Sequence, residues 1–152
     1  MRNFKEKLAI NDNCVTRCSK LHPVSENRMV FQLDTTKAPN DEFWCIKVDN
    51  CMITNAEQRC DYAFLRNKKD NSNADFYFVE LKGSHIQKAY DQLIITILKH
   101  FQNPPKQNVY GFIVASKVPT GADAQNLRKK FIRNHGVDLV IKSNFLKRQT
   151  QL

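Results

Sequence analysis

The chain has 152 residues, 41% apolar and 26% charged, with 24 Lys and Arg against 15 Asp and Glu, a formal charge of +9. That length predicts one domain, able to bury ~68–70% of its unfolded surface without disulfide or metal staples. Four Gly and five Pro exclude collagen-like and low-complexity chains, the apolar content argues against wholesale disorder, and no apolar run approaches the ~18 residues of a membrane span.

The first ten residues lack the apolar core of a secretory signal, which predicts a soluble, cytoplasmic protein with no membrane partner. Residues 1–22 read as a polar helix ended by Pro23. Met29 to Leu33 fits a strand or a helix end, 35–41 a loop, Phe43 to Val48 a strand, and Asp49-Asn50 a turn. Arg59–Arg66 and Asp75–Lys82 are strand-like runs around the polar turn 68–73, a β-hairpin signature. Gly83-Ser84 stops the second strand, with Ser84 a good helix N-cap. Apolar residues from Ile86 to Phe101 recur at helical spacing, and Asn103-Pro-Pro105 ends that helix. Asn108–Ser116 is a near-continuous apolar run, the pattern of a strand covered on both faces. A Pro-Thr-Gly turn, a basic helix from Ala122 to Asn134 closed by Gly136, and a strand from Val137 to Ile141 follow. The basic tail, 142–152, is expected to be partly mobile. The order predicts an α/β domain with a mixed central sheet flanked by helices.

Charge is segregated. Residues 1–83 carry 13 basic and 12 acidic side chains; residues 84–152 carry 11 and 3, a balance of +8. A field confined to one half suits a polyanion, nucleic acid foremost. The five cysteines, Cys14, Cys18, Cys45, Cys51 and Cys60, are odd in number and accompany no secretory signal, which predicts free thiols rather than disulfides. Cys14, Cys18 and His22 would align on a helix face, but without a CxxC pair they make a weak zinc signal. The glycines fit no phosphate-cradling loop, and no Ser/His/Asp arrangement is legible; His85 reads as a solvent-facing helix-start residue.

The hairpin carries the chemistry. If Lys69 pairs with Ala74, Asp61 lies opposite Lys82 and Ala63 opposite Glu80. Side chains alternate faces, so Asp61, Glu80 and Lys82 share one face of otherwise core-like strands. Burying three charges without purpose is costly. Two close carboxylates repel, and a hard divalent cation such as Mg²⁺ relieves them. A cation there acidifies a water nucleophile, and a nearby ammonium stabilises charge on a phosphoryl oxygen. The competing reading is a cross-strand Asp61–Lys82 salt bridge on a solvated face.

Asp61, then Glu80-Leu81-Lys82 after a hairpin, then an amphipathic helix, resembles the PD-(D/E)xK nuclease superfamily, which includes Holliday junction resolvases, restriction enzymes and repair exonucleases. The resemblance implies a restriction-endonuclease-like core over about residues 43–116, followed by the basic C-terminal part, 117–152, in a single domain spanning 1–152. It implies Mg²⁺ or Mn²⁺ held by Asp61, Glu80 and the Leu81 carbonyl, with Lys82 positioning water or stabilising charge. Cys60 stands where the superfamily pattern often has Pro. Some branches add a helical glutamine: Gln92 fits that pattern, and Gln87 is its rival. Others add an acidic residue on the first helix, for which Glu26 is the candidate. The implied activity is phosphodiester hydrolysis, of DNA rather than RNA, by a homodimer. The alternative is a catalytically inactive nucleic-acid-binding or protein-interaction module on the same fold. Arg128, Lys129, Lys130 and Arg133, on one basic helix, are candidates to track a phosphate backbone.

Overall fold

The computed structural model describes residues 2–70, 73–82, 85–117, 122–136 and 139–150. Its elements are α1 (Arg2–Leu8), β1 (Val15–Arg17), β2 (Leu21–Glu26), β3 (Met29–Asp34), β4 (Glu42–Lys47), β5 (Tyr62–Asn67), β6 (Asp75–Lys82), α2 (Ile86–Ile95), β7 (Val109–Ala115), α3 (Ala122–His135), β8 (Leu139–Ser143) and β9 (Phe145–Gln149). A six-stranded sheet runs β1-β4-β5-β6-β7-β8, and a three-stranded sheet runs β2-β3-β9. The first four strands of the larger sheet, β1, β4, β5 and β6, pair antiparallel, and β6, β7 and β8 are parallel. Parallel neighbours need crossovers, and α2 and α3 supply them.

The alternation of β6 explains the layering. Phe76 and Phe78 pack with Ile86, Ala89, Leu93, Ile97 and Phe131 beneath the helices. Tyr77, Val79 and Leu81 pack with Phe31, Leu33, Phe112 and Leu146 under the small sheet. The mixed α/β sheet is as expected, but helices cover only one of its faces; β2, β3 and β9 cover the other. β7 is buried on both sides, as its apolar run predicts. Gly111 lets α3 approach it: an added Cβ would sit 2.8 Å from Phe131 Cζ.

The N-terminal helix expected over 1–22 stops at Leu8, because Ala9 turns back with φ 54° and Asn11 caps a 3₁₀ turn. Val15–Arg17 then completes the edge of the main sheet beside Trp44, Cys45 and Ile46. Pro23 sits inside β2, which is an edge strand, where a missing N–H is tolerated. Cys14, Cys18 and His22 consequently share no helix face. Cys14 instead forms a disulfide with Cys51, Cα–Cα 5.6 Å, contrary to the expectation of free thiols throughout. Cys18, Cys45 and Cys60 are free, and burial pushes their thiols above the ordinary range.

Nor are residues 143–150 loose. Asn144 adopts φ 63°, donates to the Ala115 carbonyl and accepts from Val30 N–H, so it passes the chain from one sheet to the other. β9 pairs parallel with β3 and buries Leu146. The Ser84 cap and the Pro-Thr-Gly turn lie outside the described residues. Among the described residues, no helix is long and apolar enough to cross a membrane.

Candidate active site

The hairpin register differs from the sequence expectation by two residues. Ala63 faces Phe78 rather than Glu80, and the last pair, Arg66 with Asp75, leaves 67–74 for the turn. A buried ion cluster sets this register. Arg66 lies 2.8 Å from Asp41 and 4.0 Å from Asp75, Lys68 reaches Asp75 at 3.1 Å, and Asp41 accepts the Lys69 N–H. An even slip keeps every side chain on its face. It brings Asp61 to Glu80 instead of Lys82, one step beyond the Tyr62–Val79 pair.

Asp61 and Glu80 are interlocked. The Asp61 N–H donates to Glu80 Oε1 at 3.1 Å, and Asp61 Oδ2 accepts the Leu81 N–H at 2.7 Å. The Asp61 carbonyl accepts from Val48 and Asp49 N–H groups. Burial raises the Asp61 carboxyl above its ordinary range; the Leu81 N–H and hydrogen bonding with the Glu80 side chain act against that, and the charges of Glu26 and Asp49 add to it. Glu80 itself is 2% exposed.

A cleft of about 520 Å³ opens over this pair, and Glu26, Asp49, Glu57, Arg59, Lys88 and Gln92 complete its walls. Glu26 arrives from β2 rather than from a helix. The two-residue turn Asn27-Arg28, with φ 49° and 69°, carries it to the rim. Gln92 overhangs from α2, and its buried side-chain oxygen has no hydrogen-bond partner among the described residues. Gln87 turns away to donate to Asp91 at 3.0 Å and lines a neighbouring groove. The backbone of Lys82 pairs with Ala115; its side chain lies outside the described residues.

Helix α2 ends in a π-helical turn, Thr96–His100, that holds the loop segment leading to Asp61. Thr96 Oγ1 accepts the Cys60 N–H and donates to the Gln92 carbonyl, both at 2.7 Å. Lys99 pairs with Glu57, and His100 meets the Gln58 carbonyl at 3.0 Å. Such bulges re-aim successive side chains and recur at functional sites. Arg59 braces the same segment, binding Asp49 at 2.8 Å and the carbonyls of Asn55 and Glu57. Asp49, Arg59, Lys88 and Thr96 escaped sequence reasoning; Asp49 read only as half of a turn.

Two carboxylates, an adjacent main chain and an orphaned amide oxygen form a hard oxygen donor set, which fits Mg²⁺ or Mn²⁺. Among the described residues, no three His, Cys, Asp or Glu side chains converge into a metal cage, so neither the zinc reading of Cys14, Cys18 and His22 nor an all-side-chain site arises. On α3, Lys129, Lys130 and Arg133 are exposed. Arg128 instead donates to the Ile141 carbonyl at 3.1 Å, and Lys130 lies 5.6 Å from the Tyr90 ring centre. Comparison with known proteins yields no family model, no curated protein and no solved structure that matches the chain.

Proposed function

We propose that this chain is a metal-dependent nuclease with a restriction-endonuclease-like PD-(D/E)xK core, hydrolysing phosphodiester bonds of DNA rather than RNA. The observation that carries the reading is the meeting of Asp61 and Glu80 at adjoining strand ends, beneath Gln92. In a solvated salt-bridge face these carboxylates would be exposed; instead Glu80 is buried and burial raises the Asp61 carboxyl, and a divalent cation bound beside them would favour the ionised pair.

Asp61, Glu80 and the Leu81 carbonyl are the groups that would hold Mg²⁺ or Mn²⁺. Bound there, the cation supplies Lewis-acid stabilisation of the phosphoryl oxygens and a more acidic water. The chain's own residues do the rest. The Leu81 N–H fixes the Asp61 carboxylate, Glu80 accepts from the Asp61 N–H, Gln92 walls the cleft above them, and Lys82 would stabilise the charge developing on phosphate. Hydrolysis adds water across the P–O bond, with the leaving 3′ or 5′ oxygen taking the proton.

The test is a cleavage assay on supercoiled, linear, single-stranded and branched DNA and on RNA, with Mg²⁺ or Mn²⁺. Wild type should cut at least one DNA, and a chelator, Glu80→Gln and Lys82→Ala should each lower the rate by about 10²–10³-fold or more. No cleavage under any metal, with salt-sensitive DNA binding retained, would leave an inactive binding module. Loss of DNA binding as well would leave the protein-interaction reading.

A further inference from the structure

Beside the acidic cleft lies a second groove, of about 800 Å³, between the starts of α2 and α3. Lys88 lines both, so the two openings meet at its side chain. Lys88 and Gln92 stand four residues apart on α2 and share a helix face. Arg59, the other described cation of the cleft, is bound to Asp49 and to two carbonyls, whereas Lys88 makes no ion pair among the described residues. It is the cation available to a phosphate passing from one opening to the next.

The chemistry of the second groove differs from that of the first. Leu127, 6% exposed, contributes an apolar surface. Gln87 and Asn126 bring amides, and Asp91 and Asp123 bring carboxylates. Those carboxylates repel a phosphate backbone but accept from exocyclic amino groups of bases, and amides serve base edges as both donors and acceptors. The volume falls within the ~300–1,000 Å³ of small-ligand sites. The Watson–Crick edge that would meet these groups is free only in an unpaired nucleotide.

We infer that the groove between α2 and α3 is a subsite for an unpaired nucleotide flanking the scissile phosphate, with Lys88 clamping the phosphate between them. This rests on the proposed nuclease reading and names its substrate class: single-stranded DNA or an unpaired flap, in preference to continuous duplex.

Binding tests it independently of turnover. Full-length Glu80→Gln protein would be titrated into one labelled DNA strand, alone and annealed to its complement, with fluorescence anisotropy as the readout. The unpaired strand should bind about tenfold tighter or more, since a duplex must first open. Asn126→Leu and Asp123→Ala, both at exposed positions, should each remove most of that preference without changing duplex affinity; Lys88→Gln should weaken both forms. Thermal melts would check that each variant folds. Equal affinity for the two forms, or a preference that survives both groove variants, overturns the subsite. If wild type cuts nothing with any metal yet the groove variants abolish the preference, the nuclease reading falls and the subsite stands.

Discussion

The Asp61 carboxyl is held in place at a cost to folding. Its pKa lies above the ordinary carboxylate range, chiefly through burial, so its ionisation opposes the folded state. That penalty is absent below the unfolded value of ~3.9 and grows as pH rises through the folded value. Asp61→Asn should therefore raise the Tm of cation-free protein at pH 7, and calorimetry should show the gap closing as pH falls toward ~4. Saturating Mg²⁺ should reverse the comparison: at a hundredfold excess over Kd it contributes ~2.7 kcal/mol, a rise of about 5–10 °C for a chain this long, in wild type and not in Asp61→Asn. Thr96 holds the residue that precedes Asp61, accepting the Cys60 N–H. Thr96→Val leaves the buried Cys60 N–H without its acceptor, at a cost of ~1–3 kcal/mol. Denaturant titration should show that loss, with kcat falling alongside it, and Thr96→Ser should restore both.

At the scale of elements, the strand–helix grammar from Phe43 to Ala115 was legible because each segment repeats its own period. β6 runs from Asp75 to Lys82 as its apolar run predicts, and the apolar stripe from Ile86 anticipated α2. The π-helical turn was not legible: its five residues continue the helical pattern, and only the contacts of Thr96, Lys99 and His100 with residues 57–60 distinguish it. The N-terminal segment misled for a different reason. Its polar residues have no strong period, and the unpaired edge of β4 recruited Val15–Arg17 as a strand. The Cys14–Cys51 disulfide then ties this segment to the turn that carries Asp49, across 37 residues. Replacing both cysteines with serine should cost about 3–4 kcal/mol in the chain-entropy model, measured by denaturant unfolding without reductant. Dithiothreitol should bring wild type down to the same midpoint.

Across the whole molecule, the positive charge of the C-terminal half divides into two kinds of work. Arg128 fastens α3 to β8, and Arg148 lies 5.3 Å from the Tyr110 ring centre, whereas Lys129 and Arg133 face solvent. DNA affinity should accordingly fall steeply with salt, with a logarithmic slope of about −0.9 per phosphate neutralised. A Lys129→Gln/Arg133→Gln pair should flatten that slope by about 1–2 with Tm unchanged. Arg128→Ala should lower Tm instead, since the Ile141 carbonyl loses its donor. A slope that ignores Lys129 and Arg133 would place the DNA on another face.

Sequence alone determined the alternation that puts Asp61 and Glu80 on one face, because parity along a strand is local and survives an even slip. It also determined the amphipathic helix that supplies Gln92 over them. Which residues meet was a tertiary decision. The Arg66–Asp41–Asp75 cluster set the register that joins Asp61 to Glu80, and Asp41 lies far from that hairpin in the chain. The Asn27-Arg28 turn brought Glu26 to the rim from a strand, and Asn144 sent the tail into a second sheet that covers the face no helix reaches. The ion cluster and the Asn144 crossing depend on partners tens of residues apart, and no periodicity within a segment encodes such a partner.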